Sequence, residues 1–508
     1  MTNVLEYLEQ TLKRIANPDK PAFIGGAGDL LSFRELSNIS RSIGSYLIEQ
    51  GAGKQPVVVY MKKSPAMIAA FLGVVYAGSY YVPIDAEIPE FRRKLILETV
   101  KPSVIICDDA EHTSPRHVHF DDICRYAVND DALTEVRKKA IDADPLYVVF
   151  TSGSTGVPKG VVATHRSVID YIENLSAVLH VSEDTVFGNQ SPLYLDACLK
   201  EVYTTLKFAA SAYLIPQPLF MFPVKLIEYL SENKINTICW VASALSLVAG
   251  LGALKAATPK TLHTISFGSE VFPVKHYNLW RKALPQARFI HLYGPTEATG
   301  MSCFYEATRI YDSEESIPIG RAFPNTEIIL LDENGKIPEA GAQGEICIRG
   351  SCLSPGYFGD SEKTATAFVQ NPLSPFPDLI YKTGDIGRRG ADGELYYVAR
   401  RDHQIKHLGH RIELAEIEYV ANGCDGVGLA CAIFDSVKSR IVLYFISSED
   451  GSRLSDSADK AVFAVKAYLK ENLPRYMLPH SVFLLDSLPY TPGGKIDRMK
   501  LLEEYKSL

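Results

Sequence analysis

The stretch SPLYLDACLKEVY (residues 191–203) sets a carboxylate, Asp196, and an ammonium, Lys200, four residues apart in apolar and aromatic surroundings. On a helix these positions share a face. Opposite charges so placed serve either as a surface ion pair or as a reader of a charged small molecule. A second stretch, YVVFTSGSTGVPKG (147–160), runs an apolar strand pattern into a loop dense in Gly, Ser and Thr that ends in a lysine. Glycine permits the dihedrals that a concave anion nest requires, so this loop can offer backbone N–H groups, hydroxyls and an ammonium to phosphate oxygens. It is not a Walker loop, which opens directly into a helix after G-K-[ST]. Here Lys159 is followed by GVVATH, which reads as another strand.

The elements that must position these groups follow from pattern. Up to about residue 300, β-branched runs such as PVVVYMK and SVIIC alternate with helix-like segments such as SPAMIAAFLGVVYAG, predicting α/β layers with buried, largely parallel strands. From TEIILLDENGKIPEAGAQGEICIRG to GELYYVAR the texture becomes strands and glycine turns, which predicts a smaller β-rich lobe. After Arg400, LAEIEYVANG and ADKAVFAVKAYLKENLP read as helices, and LACAIFD and RIVLYFIS as strands, giving a small α+β domain at the C-terminus. A chain of 508 residues, 46% apolar and 22% charged, is an ordinary globular sequence too long for one core. A net charge of -8 with scattered Lys and Arg argues against a nucleic-acid partner. Nine cysteines without a C-x-x-C pair suit a reducing compartment and no zinc site. The opening MTNVLEYLEQTLKRI is an amphipathic helix pattern without an apolar signal core, and the chain has no long uncharged apolar run, so a cytoplasmic protein without a membrane partner is expected.

The loop TSGSTGVPKG resembles the signature of the adenylate-forming superfamily, which comprises acyl-CoA synthetases, luciferases and the adenylation domains of nonribosomal peptide synthetases. Further motifs of that superfamily stand in its order along nearly the whole chain: AGSYYVPID (77–85), YGPTE (293–297), GEICIRGSCLSPGYFG (344–359), YKTGD (381–385), ARRDHQIKHLGHRIELAEIE (399–418) and LPYTPGGKIDR (488–498). The resemblance implies an adenylation core over residues 1–399 and a mobile C-terminal domain over 400–508 that carries the catalytic lysine. ATP, Mg²⁺ and a carboxylic acid would bind between them. In such a site a carboxylate oxygen attacks the α-phosphorus of ATP to give an acyl-adenylate and pyrophosphate, and catalysis consists mainly of charge neutralisation and alignment. By the resemblance, Thr151, Ser152, Gly153, Ser154, Thr155, Gly156 and Lys159 hold the triphosphate, Gly268 and Tyr293 lie against the nucleotide, and Thr296 reaches the α-phosphate. Glu297 holds Mg²⁺, a hard cation suited to a carboxylate with phosphate oxygens. Asp385 bonds the ribose with help from Arg400, and Lys495 is the catalytic lysine bridging the two reacting anions. Asp402 falls at the hinge. The usual pattern there begins Gly-Arg, whereas this chain has Ala399-Arg400, a departure in backbone freedom just before the hinge.

Aspartate at the position of Asp196 marks the branch of the superfamily that activates α-amino acids, where it pairs with the substrate ammonium. A buried ammonium needs such a counter-charge in any family. The resemblance to peptide-synthetase adenylation domains places Ala197, Lys200, Cys239, Ile265, Phe267, Leu292, Gly300 and Met301 on the side-chain pocket. Turned inward, Lys200 selects an acidic side chain such as glutamate or aspartate; paired with Asp196 or Glu201, it leaves a cramped pocket for alanine or serine of either chirality. Stand-alone D-alanine carrier-protein ligases share the length and motif order. The chain ends ten residues after Arg498 with no Gly-Gly-x-Ser carrier segment and no Gly-x-Ser-x-Gly elbow, so a free-standing ligase is expected, its acceptor the phosphopantetheine arm of a separate carrier protein. Coenzyme A is the competing acceptor. The alternatives are an acyl- or aryl-CoA ligase and a catalytically silent nucleotide-binding relative.

Overall fold

A computed structural model describes residues 1–26, 28–109, 116–153, 156–402, 404–448, 457–490 and 496–507. The chain forms two compact units. The larger comprises Met1–Ala86, Val100–Val149 and Gly160–Arg401, and the smaller Glu87–Thr99, Phe150–Lys159 and Asp402–Leu508.

Parallel strands flanked by helices dominate the larger unit, as the alternating pattern requires. Strand Pro56–Met61 is buried at every residue and pairs in parallel with Tyr80–Asp85 on one side and Val104–Cys107 on the other. A strand covered on both faces reads as a continuous apolar run, here PVVVYM. The helix joining the first two strands, Pro65–Tyr76, starts with proline at its first turn while the Ser64 side chain accepts from the Met67 N–H, and it is apolar all round because it is buried all round. A second sheet carries, side by side and parallel, Val186–Asn189, Thr237–Val241, Thr264–Gly268 and Arg288–Tyr293, followed by antiparallel Cys303–Glu306. One face of that sheet buries Cys239, Ile290 and Leu292 in the main core. The opposite face buries Trp240, Ile265, Phe267 and Phe289 against Phe272, Tyr277 and Trp280. The β-rich lobe follows, with Thr326–Leu331, Gln343–Gly350, Leu379–Arg389 and Leu395–Arg400 in antiparallel succession.

In the smaller unit, strands Gln404–His407 and His410–Glu413 form a tight hairpin whose two turn residues, Leu408 and Gly409, both have positive φ (53° and 78°). Both central residues must take that conformation in the turn type that matches strand twist. Helix Leu414–Asn422 packs on the antiparallel pair Val427–Asp435 and Arg440–Ser447, and helix Ala458–Asn472 begins with the Ser457 side chain accepting from the Lys460 N–H and stops before Pro474. The α/β reading and the large N-terminal part with a smaller α+β C-terminal domain hold. No helix among the described residues is long and apolar enough to cross a membrane.

Candidate functional site

Strand Arg288–Tyr293 ends at the aromatic residue of YGPTE, and Tyr293 donates its hydroxyl to Asp385 Oδ2 at 2.6 Å. Asp385 lies on strand Leu379–Arg389, where its cross-strand partner is Arg400, whose guanidinium meets Oδ1 at 2.9 Å. The Asp385 N–H is held by Thr383 Oγ1, so the carboxylate is fixed by its own strand as well as by two side chains. Burial, and then the adjacent Asp385 charge, drive the Tyr293 phenol far above its ordinary pKa, so it stays a neutral donor. Each carboxylate oxygen has a second lone pair and can accept a hydroxyl besides the bonds shown.

Beyond Tyr293 the chain makes a short 3-10 turn, Thr296–Ala298, and turns through Thr299 and Gly300 with φ of 50° and 82°. Glu297 is fully buried and accepts from the Tyr357 hydroxyl at 2.8 Å. Thr296 faces Asp196: burial raises the Asp196 carboxyl above its ordinary value, and Thr296 and Lys200 oppose that rise. Asp196 therefore sits against the same turn that carries Glu297.

Asp196 opens a 3-10 turn, Asp196–Cys198, that leads into helix Leu199–Phe208. The two charged residues accordingly belong to consecutive elements and not to one continuous α-helix. Lys200, 4% exposed, lines a narrow cavity together with Cys239, Trp240, Ser266, Leu292 and Met301. The cavity offers about 10 Å³, room for roughly one water molecule. Neither oxygen of Glu201, the next residue along the helix, has a hydrogen-bond partner, so Glu201 does not draw Lys200 into a bonded pair.

In the smaller unit the glycine-rich loop is tight. The Gly156 N–H donates to Gly153 O, and a Cβ on Gly153 would stand 1.9 Å from Val157 O. Among the described residues the Thr151 hydroxyl is buried without a hydrogen-bond partner, so it is free to bond a polar ligand. Ser152 departs from the expected role: its hydroxyl donates to Arg411 O at 2.7 Å and accepts from the Glu413 N–H at 3.1 Å, so the backbone of the hairpin strand occupies it. Lys159 opens strand Lys159–Thr164, and Asp402 follows directly on the boundary of the larger unit, its Oδ1 accepting from the Gln404 N–H. Ser154, Thr155 and Lys495 lie outside the described residues.

Residues 12–358 match the AMP-binding enzyme family. The chain belongs to that family. It is 30% identical to bacitracin synthase 1 of Bacillus licheniformis over 98% of its own length, yet spans only 9% of that synthase. It is 29% identical to the D-alanine–D-alanyl carrier protein ligase of Bacillus licheniformis over 98% of this chain and 99% of the ligase. In fold it is similar to holo-PA1221, an NRPS protein containing adenylation and PCP domains, with a TM-score of 0.82 and 24% identity over 99% of this chain and 84% of that one.

Within this AMP-binding enzyme the structure gathers Tyr293, Asp385 and Arg400 in one cluster, and Thr296, Glu297 and Asp196 around one turn. Of the expected pocket residues, Lys200, Cys239, Phe267, Leu292 and Met301 border the cavity, whereas Asp196, Ala197, Ile265 and Gly300 are not among its lining. Ile265 departs for a definite reason. Cys239 pairs with Ser266, and Leu292 with Gly268, so Ser266 and Gly268 share the cavity face while Ile265 projects to the other side of the sheet. Phe267 borders the cavity, but its ring lies on that other side too, 4.8 Å from the ring of His291 and 5.0 Å from that of Phe272. Ser266, Trp240, Val241 and Ser269 are cavity residues that sequence reading missed. The period-two alternation counted from Cys239, combined with strand register, would have found Ser266.

Proposed function

We propose that this AMP-binding enzyme activates an α-amino acid with ATP and passes it as a thioester to the phosphopantetheine thiol of a carrier protein. The observation that carries this reading is Asp196, a desolvated carboxylate seated against Thr296, where it would receive the substrate ammonium beside the reacting carboxylate. In the first half-reaction a substrate carboxylate oxygen bonds to the α-phosphorus, the bond to the bridging oxygen of pyrophosphate breaks, and aminoacyl-AMP forms. In the second the thiol sulfur bonds to the acyl carbon, AMP leaves and the thiol proton goes to solvent. Asp385, with Tyr293 and Arg400 holding it, would accept the ribose hydroxyls, while Thr151, Gly153, Gly156, Lys159 and the loop hydroxyls would hold the phosphates. Among the described residues no group of three His, Cys, Asp or Glu side chains could cage a metal. The buried carboxylate of Glu297 fits Mg²⁺ arriving with the nucleotide, because magnesium is commonly held by one or two carboxylates plus substrate phosphates. Such a cation supplies neutralisation of the phosphate charge.

The side chain preferred by this reading is acidic, because a buried ammonium, Lys200, lines the cavity. A second reading, a small side chain, rests on the cavity's narrowness. The proposed functional division is at residues 399/400 with Asp402 as hinge, supported by the boundary of the compact units between Arg401 and Asp402. Lys495→Ala separates the half-reactions: aminoacyl-AMP formation should fall by about a thousandfold or more, while thioester transfer from supplied aminoacyl-AMP should persist. Adenylate formation near the wild-type rate would remove Lys495 from the chemistry.

A further inference from the structure

Beside the cavity lies a surface that the proposed reaction does not use. Val241 ends one strand of the cavity wall and Ser269 follows the end of its parallel neighbour, the carboxyl side of such a sheet, where ligands bind. Helix Ala242–Gly250 starts directly after Val241, and Val271 comes two residues after Ser269. The Ser243 N–H donates to Glu270 Oε2 at 2.9 Å, so the two connections leave the cavity wall tied together. Helix Ala242–Gly250 packs against the turn Gln217–Met221 and against helices Pro223–Glu232, Ala253–Ala256 and Val274–Ala283, which makes one continuous group. Phe220 pins the turn to the cavity, its ring centroid 5.1 Å from that of the cavity residue Trp240.

The outer side of this group is apolar where water would favour polar side chains. Met221, Phe222, Leu247, Leu251 and Val271 are between 41% and 75% exposed. Single exposed apolar residues are ordinary, but five on mutually packed elements mark an interaction surface. Lysines stand among them. Lys225 Nζ lies 5.6 Å from the centre of the Phe222 ring, Lys255 follows Leu251 by four residues, and Lys275 precedes His276, whose Nε2 would stand 3.5 Å from a Cβ on Gly250. Among the described residues these three exposed lysines form no salt bridge. Residues 217–285 hold seven Lys and Arg against three Glu and no Asp, in a chain whose net charge is -8. Two copies of this chain meeting here would set like charges together, whereas an acidic partner is complementary. Interleaved apolar and cationic side chains suit an amphipathic helix that carries carboxylates beside its apolar face. Helix Ala242–Gly250 spans about 13 Å, so a partner seated over it stands within reach of the cavity wall for a phosphopantetheine arm. We propose that this surface docks the carrier protein, receiving an acidic amphipathic helix and so bringing the acceptor thiol to the aminoacyl-adenylate. This rests on the amino-acid-activating reading above.

The test gives the full-length enzyme two acceptors for the labelled amino acid that best supports pyrophosphate exchange. One is free pantetheine, which has the thiol and no protein surface. The other is the D-alanyl carrier protein of Bacillus licheniformis bearing its phosphopantetheine arm. In the triple variant Lys225→Glu/Lys255→Glu/Lys275→Glu, the KM for the carrier protein should rise about tenfold or more. Pyrophosphate exchange and transfer to pantetheine should stay within about twofold of wild type. Added salt should weaken loading of the carrier protein by the wild type and leave transfer to pantetheine unaffected. An unchanged carrier KM in the triple variant, an equal loss with both acceptors, or a wild type that serves pantetheine but not the carrier protein overturns the proposal. Should the triple variant lose exchange as well, Phe222→Ser, which alters the apolar half alone, decides: a carrier KM raised severalfold with normal transfer to pantetheine supports the surface, and an unchanged one contradicts it. Each of these failures leaves the amino-acid-activating reading intact, while no exchange with any amino acid ends both.

Discussion

Burial raises the Asp196 carboxyl above its ordinary value against the opposing influence of Thr296 and Lys200, a shift toward the protonated acid that an incoming ammonium would reverse. Asp196→Asn keeps the shape and removes the charge. Truncating one partner of a buried charged pair costs about 2–5 kcal/mol, so kcat/KM for the amino acid should fall by at least ~30-fold. The KM for ATP should hardly move, because Asp385, Tyr293 and Arg400 form a separate cluster. Unaltered amino-acid kinetics would place the ammonium elsewhere. The residue scale was also where the sequence was most legible. Asp196, Lys200 and Glu297 are rare choices for buried positions, and each was visible as a charge in an apolar or glycine-rich run. Lys63 was less legible, since its ammonium is held by a strand end, the carbonyls of Asn189 and Gln190, more than a hundred residues along the chain.

At the scale of elements, the turn after Tyr293 brings Thr296 and Glu297 to the site, and its geometry depends on glycine. Gly300 has φ of 82°, and a Cβ there would stand 2.7 Å from the Tyr171 ring. Gly300→Ala should therefore cost about 1–3 kcal/mol of stability and reduce adenylation by displacing Thr296. A melting temperature and exchange rate equal to wild type would show that the turn tolerates a side chain. Elements themselves were readable from pattern: PVVVYM is a buried strand, SPAMIAAFLGVVY a capped buried helix and LAEIEYVANG a helix stopping at Gly423. Register was not readable. Whether Ile265 or Ser266 faces the cavity depends on which residue of Thr237–Val241 lies opposite, and a one-residue difference moves a side chain to the other face of the sheet. The pairing of Ser152 with the backbone at Arg411 and Glu413 was hidden for the same reason, being a contact between segments more than 250 residues apart.

For the whole molecule, stability should depend on pH through His165, which caps the contact between the N-terminal segment and its neighbours. It is 3% exposed, and its Nδ1 accepts from the Val4 N–H, so a proton there would break the bond. Burial, aided by the Arg137 charge, lowers it from 6.5 to about 4. Between these values the unfolded chain binds a proton that the folded chain refuses, so stability falls as pH drops below 6.5, by an amount on the order of 3 kcal/mol once pH 4 is reached. Melting temperatures measured from pH 7.5 to 4.5 should decline more steeply for wild type than for His165→Gln, and parallel curves would show that His165 takes up its proton in the folded state. The family match and the fold agree with an adenylating chain, and the central claim concerns what it adenylates. The most direct test is exchange of labelled pyrophosphate into ATP by the wild-type enzyme across all L-amino acids, D-alanine and a panel of aryl and fatty acids. Exchange that depends on an α-amino acid, strongest with an acidic side chain, is the expected result; exchange only with acids that carry no amino group, followed by transfer to coenzyme A, would contradict it.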